Sequence, residues 1–432
     1  MVQLAKIKCA ATSAKQQARR NDSNGPQSHG NTATLTVFMD LVNKMKPILL
    51  VVGTRPGAIK SIPLYQALKK TTIPTFLCAT FQHDELLQQV FDIFRITPDI
   101  SLKIMKKDQD LFHITTSVLE KMRDVYLKID PELVLVHGDT ATAFASALAA
   151  FYLKIPVGHL EAGLRTGNIY APFPEEVCRK YISTIASYHF APTSLNVGNL
   201  LAEGIARDTV FCTGNIIVDA LEWIQQEIES GAIALNPIVT QKVLACKQNG
   251  KKLILLTAHR RESFDGGLLR IFNSIKKFAQ QHDDLFIFYP VHPNPNVQAA
   301  LEQAKLHEVP SIYLSQALAY QDLIYLILSS AWVMTDSGGI QEEAMSIGKK
   351  VIILRDVTER IEGVWEGLGM LAGTDENLIT KYMSEFYLLP NTDAQATTIY
   401  GDGKASARIV SILKTKLLQN KLQPKISPLI NV

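Results

Sequence analysis

A chain of 432 residues, 47% hydrophobic and 20% charged, has apolar side chains enough for two or three packed cores and none of the bias of a fibre or a wholly disordered protein. Its 44 basic residues are nearly balanced by 41 acidic ones, so no sequence-wide polycation marks it for nucleic acid or an anionic membrane surface, and no apolar run approaches the ~20 residues of a membrane-spanning helix. The cysteines Cys9, Cys78, Cys178, Cys212 and Cys246 are widely spaced and form no C-x-x-C pair, which argues against a disulfide framework or a zinc ribbon and for a reducing, cytoplasmic setting.

Residues 1–45 stand apart from the rest. Lys15 to Thr34 is rich in Gln, Asn, Ser and Gly and cannot supply a core, which predicts a disordered extension. Arg19-Arg20 gives it the look of a targeting peptide, and a start codon assigned ahead of Met45 is the alternative.

From Lys46 the pattern becomes regular. The apolar strand Ile48 to Val52 runs into Gly53-Thr54-Arg55-Pro56-Gly57-Ala58-Ile59-Lys60, a glycine turn opening a helix to about Lys70. Free N–H groups at such a helix start favour an anion, and Arg55 and Lys60 add donors for phosphate oxygens. The spacing is neither a Walker A loop nor a dinucleotide turn. A strand near Pro74 to Ala79, a helix Asp84 to Phe94, a strand near Leu102 to Met105 and a helix Leu111 to Ile129 follow. Asp108-Gln109-Asp110 has the D-x-D form of some metal sites but precedes a helix and reads better as its cap, so no metal site is predicted.

The stretch Leu133 to Arg179 carries most of the chemistry. A buried strand, Leu133 to Val136, ends in His137-Gly138-Asp139; the Ala-rich segment Thr140 to Leu153 is a helix; and the strand Pro156 to Leu160 delivers Glu161 at the same edge. Pro172-Phe173-Pro174-Glu175-Glu176 then opens another helix with carboxylates on its first turn. Asp139 reads either as a cap for the helix at Thr140 or as a ligand-facing acid, and Glu175 and Glu176 either as dipole-pairing charges or as site residues. Glu161, directly after an apolar strand, is poorly placed for a surface charge. Three acids thus gather where open α/β sheets bind ligands.

Strands at His189 to Ala191 and Val210 to Cys212 flank a helix Leu195 to Gly204, and the amphipathic segment Ile217 to Ser230 and a polar link lead to a second series. There Leu253 to Thr257 ends in Ala258-His259-Arg260-Arg261-Glu262, Phe286 to Val291 in His292, and Trp332 to Thr335 in Asp336-Ser337-Gly338-Gly339-Ile340-Gln341-Glu342-Glu343. Ser337-Gly338-Gly339 bares N–H groups for a phosphate, and Glu343, one turn in, can accept from ribose hydroxyls. The strand Lys350 to Leu354 brings Arg360 toward the same anion; His259 and His292 read equally well as core histidines or as ligands. The alternation predicts an α/β protein of two doubly wound Rossmann-like domains facing across a cleft, 46–214 and 215–400, with a C-terminal helix within 401–420 crossing back onto the first.

The chain carries GTRPxAIK, VHGDTxTxFA, PVGHLEAGLRTG, PFPEE, TAHRRESF, YPVHPNPNV, TDSGGIQEEA and RDVTER in that order. With these motifs it resembles the non-hydrolysing UDP-N-acetylglucosamine 2-epimerases from Lys46 to about Lys416. The resemblance implies the glycosyltransferase-B fold and an isomerase without cofactor or metal, acting on UDP-N-acetylglucosamine, expected to be a homodimer and to serve surface polysaccharide synthesis. It implies catalysis by Asp139, Glu161, Glu175 and His259. UDP contacts fall to Arg55, Lys60, His259, Ser337, Gly338, Gly339, Glu343 and Arg360, and a neighbouring site where substrate acts as activator falls to Gln82, Arg260 and His292. The chain departs from the family pattern at Gly57, Phe81, Cys178, Leu318 and Leu323, which touch regulation and base binding rather than the acids. A hydrolysing epimerase, a retaining glycosyltransferase and a non-catalytic sugar-nucleotide sensor are the alternatives.

Overall fold

The computed structural model describes residues 46–82, 84–106, 109–389 and 397–422. The expected disordered extension at 1–45 and Asp108 of the D-x-D run lie outside the described residues.

Apolar runs without alternation form strands covered on both faces, and these assemble into two all-parallel sheets. The first uses β1 (Ile48–Val52), β2 (Thr75–Ala79), β3 (Ile100–Ser101), β4 (Leu133–His137), β5 (Val157–Leu160), β6 (Tyr188–Ala191) and β7 (Val210–Cys212) in the order β3-β2-β1-β4-β5-β6-β7. The second uses β8 (Lys252–Thr257), β9 (Leu285–Pro290), β10 (Ile312–Ser315), β11 (Trp332–Thr335), β12 (Lys350–Ile353) and β13 (Gly369–Leu371) in the order β10-β9-β8-β11-β12-β13. In each, strand order reverses beside the first strand, between β1 and β4 and between β8 and β11. A crevice opens at such a switch point, outside the carboxyl ends of the strands.

The helices between strands are α1 (Arg55–Lys69), α2 (Asp84–Ile93), α3 (Leu111–Ile129), α4 (Ala141–Tyr152), α5 (Glu175–Ile185) and α6 (Ser194–Ala202) in the first half. The second half has α7 (Ile216–Glu229), α8 (Pro237–Gln248), α9 (Gly267–Gln281), α10 (Pro295–Ala304), α11 (Tyr320–Ser329), α12 (Gly338–Ser346), α13 (Ile361–Trp365), α14 (Glu376–Tyr387) and α15 (Ala405–Leu422). No helix among the described residues is long and apolar enough to cross a membrane. Helix α7 is the shared wall of the two halves, packing on α1, α11 and α12, and α15 returns to pack on α1 and α7. Phe94 stacks on Trp223 of α7 with ring centroids 4.4 Å apart, which adds an aromatic contact to that wall.

Two caps settle questions left open by the sequence. Asp110 accepts from His113 N at 2.7 Å and caps α3. The cap of α4 is Thr140, whose hydroxyl accepts from Ala143 N at 3.2 Å, so Asp139 is spared that duty.

Some elements differ from the reading of the sequence. The third strand is Ile100–Ser101, not 102–105, because Leu102 and Ile104 continue only as single backbone bonds to Ala79 and Thr80. Strands β10 and β13 and helix α8 also went unforeseen. The two strands are short, and α8 buries only Val239, Val243 and Cys246 among polar residues, too weak a periodic signal to stand out from a link.

Candidate active site

Glu161 leaves the end of β5 in the left-handed region, φ 62°, a conformation that costs a non-glycine residue and is kept where surrounding structure imposes it. Its carboxylate seats against Gly138, where an added Cβ would stand 3.2 Å from Oε2. Lys60, on the buried face of α1, pairs with Glu161 and also reaches Glu342 Oε2 at 3.2 Å. Asn215, the cap of α7, donates through Nδ2 to Glu161 at 3.1 Å and to Glu342 at 3.0 Å. Arg360 donates from Nε to Glu342 at 2.9 Å, pairs with Glu359, and stands 3.8 Å from Glu161. Two buried carboxylates are thus held by donors from both halves of the molecule.

The environment treats the two acids differently. Burial opposes the charge of Glu161, but Lys60, His137 and Arg360 outweigh it and hold the carboxyl below its usual range. At Glu342 burial prevails over Arg360 and Lys60, and the carboxyl is raised. His137, whose Nδ1 lies 3.1 Å from the Ser61 hydroxyl, is pushed down to about 4 by burial and presents a neutral ring 3.9 Å from Glu161.

Asp139 and Glu175 form a second pair of acids. Arg179 of α5 pairs with Asp139 and reaches Glu176 at 3.2 Å and Glu359 at 3.9 Å. Glu175 is raised by burial and then by the charge of Asp139, which favours its protonated form. Glu176, fully buried, accepts from Thr166 N at 3.1 Å and Gly167 N at 3.2 Å; it clamps the loop after Glu161.

The other wall is built for an anion. Ser337 is the cap position of α12 without a side-chain cap bond, a Cβ on Gly339 would meet nothing within 4 Å among the described residues, and a Cβ on Gly338 would lie 2.5 Å from Arg360 Nη1. Only glycine at Gly338 lets the guanidinium lie across the start of the helix. Burial raises Glu343 to about 7 and lowers Arg55, and the opposite charges of the two groups partly offset both shifts. His259 stands 3.2 Å through Nδ1 from Asp336 and stacks on His292, centroids 5.1 Å apart. Arg260 is near enough to favour the charge of Glu175. Gln82 lies in the bend after β2, where its Oε1 accepts from the hydroxyl of Thr142 on α4 at 2.7 Å.

The structure therefore gathers Lys60, Glu161 and Arg360 directly, sets Asp139 beside Glu175, Arg55 beside Glu343 and His259 beside His292, and leaves Gln82 in the bend after β2. Glu342, Glu359, Arg179, Asn215 and His137 join the site without having been singled out. Glu342 and Glu359 stood inside motifs already noted, and the signal they offered was a carboxylate next to a site residue.

Two doubly wound sheets, with a glycine-bared helix start beside Arg360 on one and separately tuned acids on the other, form a site with the chemistry to take a phosphorylated ligand beside acid–base groups. The family model described as UDP-N-acetylglucosamine 2-epimerase matches residues 66–414. The UDP-N-acetylglucosamine 2-epimerase of Escherichia coli K12 is 43% identical over 374 residues, covering 85% of this chain and 98% of its own. The crystal structure of the Neisseria meningitidis UDP-GlcNAc 2-epimerase bound to UDP-GlcNAc superposes with a TM-score of 0.79 at 40% identity, covering 85% of this chain and 100% of that one. A glycosyltransferase from Rickettsia africae shares the fold alone, with a TM-score of 0.54 at 15% identity over 87% of this chain and 99% of its own. The chain belongs to the UDP-N-acetylglucosamine 2-epimerase family, and its fold is the α/β, glycosyltransferase-B-like arrangement of two parallel sheets.

Proposed function

We propose that the protein interconverts UDP-N-acetylglucosamine and UDP-N-acetylmannosamine without hydrolysis. The C2 hydrogen of the sugar is not next to a carbonyl and is too weakly acidic for a side-chain base alone. As the C1–oxygen bond breaks and UDP departs with the electron pair, positive charge on C1 acidifies C2. A carboxylate then takes the proton, and a C1–C2 double bond forms. Return of a proton to the opposite face and re-addition of the UDP oxygen at C1 give the epimer.

The observation that carries this reading is the opposite tuning of acids in one crevice: Glu161 is held ionised, while Glu175, beside Asp139, is pushed toward its protonated form. Glu161, ionised, can receive a proton once loss of UDP has made C2 acidic, Glu175 can supply one, and Asp139, paired with Arg179, stands beside the forming cation. Arg55, Lys60, His259, Ser337, Gly338, Gly339, Glu343 and Arg360 hold the UDP half, and Gln82, Arg260 and His292 form a neighbouring site at which the substrate activates. The division falls into domains 46–214 and 215–400, with α15 belonging to the first.

A homodimer is supported by α3, α4 and α5, which pack side by side and expose Leu127, Phe151, Tyr152 and Tyr181. The enzyme would act in the cytoplasm, supplying precursors for surface polysaccharide.

Incubation of the full chain with UDP-N-acetylglucosamine in heavy water tests the reading. Deuterium at C2 of UDP-N-acetylmannosamine, seen by proton NMR, is expected. A retained C2 proton refutes exchange through these acids, and stoichiometric UDP with free N-acetylmannosamine identifies a hydrolysing enzyme instead.

A further inference from the structure

Asp336 follows β11, is 1% exposed, and was assigned no part in the reaction. Its Oδ2 accepts from the backbone N–H of His259 and from that of Arg260, the latter at 2.7 Å. Its buried Oδ1 lies 3.2 Å from His259 Nδ1, close but outside hydrogen-bond geometry, and has no hydrogen-bond partner among the described residues. The strand ends that carry the two residues are tied together: Thr257 and Thr335 pair in register, their hydroxyls are 2.6 Å apart, and Ser337 N donates to Thr335 at 3.0 Å.

The ring of His259 is a third exposed and lies parallel to that of His292, with 8° between their planes. Stacking fixes the plane of the ring but not its sense, since a half-turn about Cβ–Cγ keeps the stack and exchanges Nδ1 for a carbon. Resting on the reading that His259 meets the nucleotide-sugar, we propose that Asp336 is the positioning residue that decides which nitrogen does so. An ionised carboxylate only accepts, so it keeps the proton of the neutral ring on Nδ1 and leaves the Nε2 lone pair for the cleft. Its second oxygen, on the two backbone N–H groups, fixes the carboxylate itself. A partner of this kind orients a functional imidazole in metal and hydrolase sites alike.

Asp336→Asn is the informative change. The asparagine oxygen can still accept from both backbone N–H groups, while its amide N–H₂ faces Nδ1 as a donor and drives the ring proton to Nε2. Long-range ¹H–¹⁵N correlation on the full chain labelled at histidine, recorded at alkaline pH with His259→Gln as the assignment control, reads the tautomer directly. An Nδ1–H ring in the unaltered protein and an Nε2–H ring in Asp336→Asn are expected. The variant should retain its melting temperature, while kcat falls by about 10- to 100-fold, the range for losing the orienting partner of a functional histidine. An Nε2–H ring in the unaltered protein overturns the proposal without any variant, and so does an unchanged tautomer in a folded Asp336→Asn. Full activity in His259→Gln overturns the role of His259 in the reaction, a failure the tautomer measurement tells apart from a wrong assignment of Asp336.

Discussion

Lys60 and Glu161, 101 positions apart in sequence, form a buried ion pair at the carboxyl edge of the first sheet, and the same ammonium reaches Glu342 on the second half. One side chain therefore couples the proposed proton acceptor to the wall proposed to hold the diphosphate.

Lys60→Met is expected to leave two buried carboxylates dependent on Asn215 and Arg360 alone. Removing one partner of a buried pair costs about 3–5 kcal/mol, so urea denaturation should show destabilisation of that order together with loss of turnover. Glu161→Gln keeps hydrogen-bonding capacity and should instead cut turnover by roughly a hundredfold or more while altering UDP affinity far less. Asp139→Asn is expected to behave likewise. Normal epimerisation by both carboxamide variants, followed by chromatography of the two sugar nucleotides, would remove these acids from the mechanism.

The acid Glu343 makes a pH prediction with a definite sign. Its folded value, about 7, lies above the ordinary carboxyl value of 4.5, so the native state prefers the protonated form. Its contribution to stability is present in full below about pH 4.5 and is lost as pH rises toward 7. The unliganded protein should lose up to about 3 kcal/mol across that window relative to Glu343→Gln, whose side chain does not titrate. Parallel denaturation curves for the two proteins at pH 5 and pH 8 check it.

The two glycines at the start of α12 should behave differently when replaced by alanine. Gly338→Ala puts a methyl against the Arg360 guanidinium and should lower both stability and UDP affinity. Gly339→Ala meets nothing within 4 Å among the described residues, so it should fold normally and lose affinity only because the methyl intrudes where the anion is proposed to sit. Arg360→Ala should weaken UDP binding by about 1–3 kcal/mol, the loss expected for a charge-assisted hydrogen bond. Calorimetric titration with UDP and thermal melting separate the three; equal affinity in all would move the diphosphate elsewhere.

If α3, α4 and α5 form the dimer face, Phe151→Glu together with Tyr152→Glu should shift sedimentation from dimer to monomer with little effect on folding, since both side chains are more than half exposed. A dimer that survives both changes would place the interface on another face.

The strands were legible because a parallel strand covered on both faces is written as a continuous apolar run, and the helices that follow them begin with caps such as Thr140 and Asp110. The edge strands β10 and β13 were not, because short partly covered strands leave no comparable run. Within the site, sequence pattern picked out Asp139, Glu161, the Glu175-Glu176 pair, Lys60 and Arg360 from their places near strand and helix ends, and the family resemblance selected Glu175 from the pair. What only the tertiary structure decided is which charges meet: Glu342 against Lys60 and Arg360, Arg179 against Asp139, Asp336 against His259. Local pattern determines where a side chain leaves its element, because that depends on a few neighbouring residues. Whether a buried carboxylate holds a proton depends on cations and burial contributed by the other half of the chain, and no spacing along the sequence records those distances.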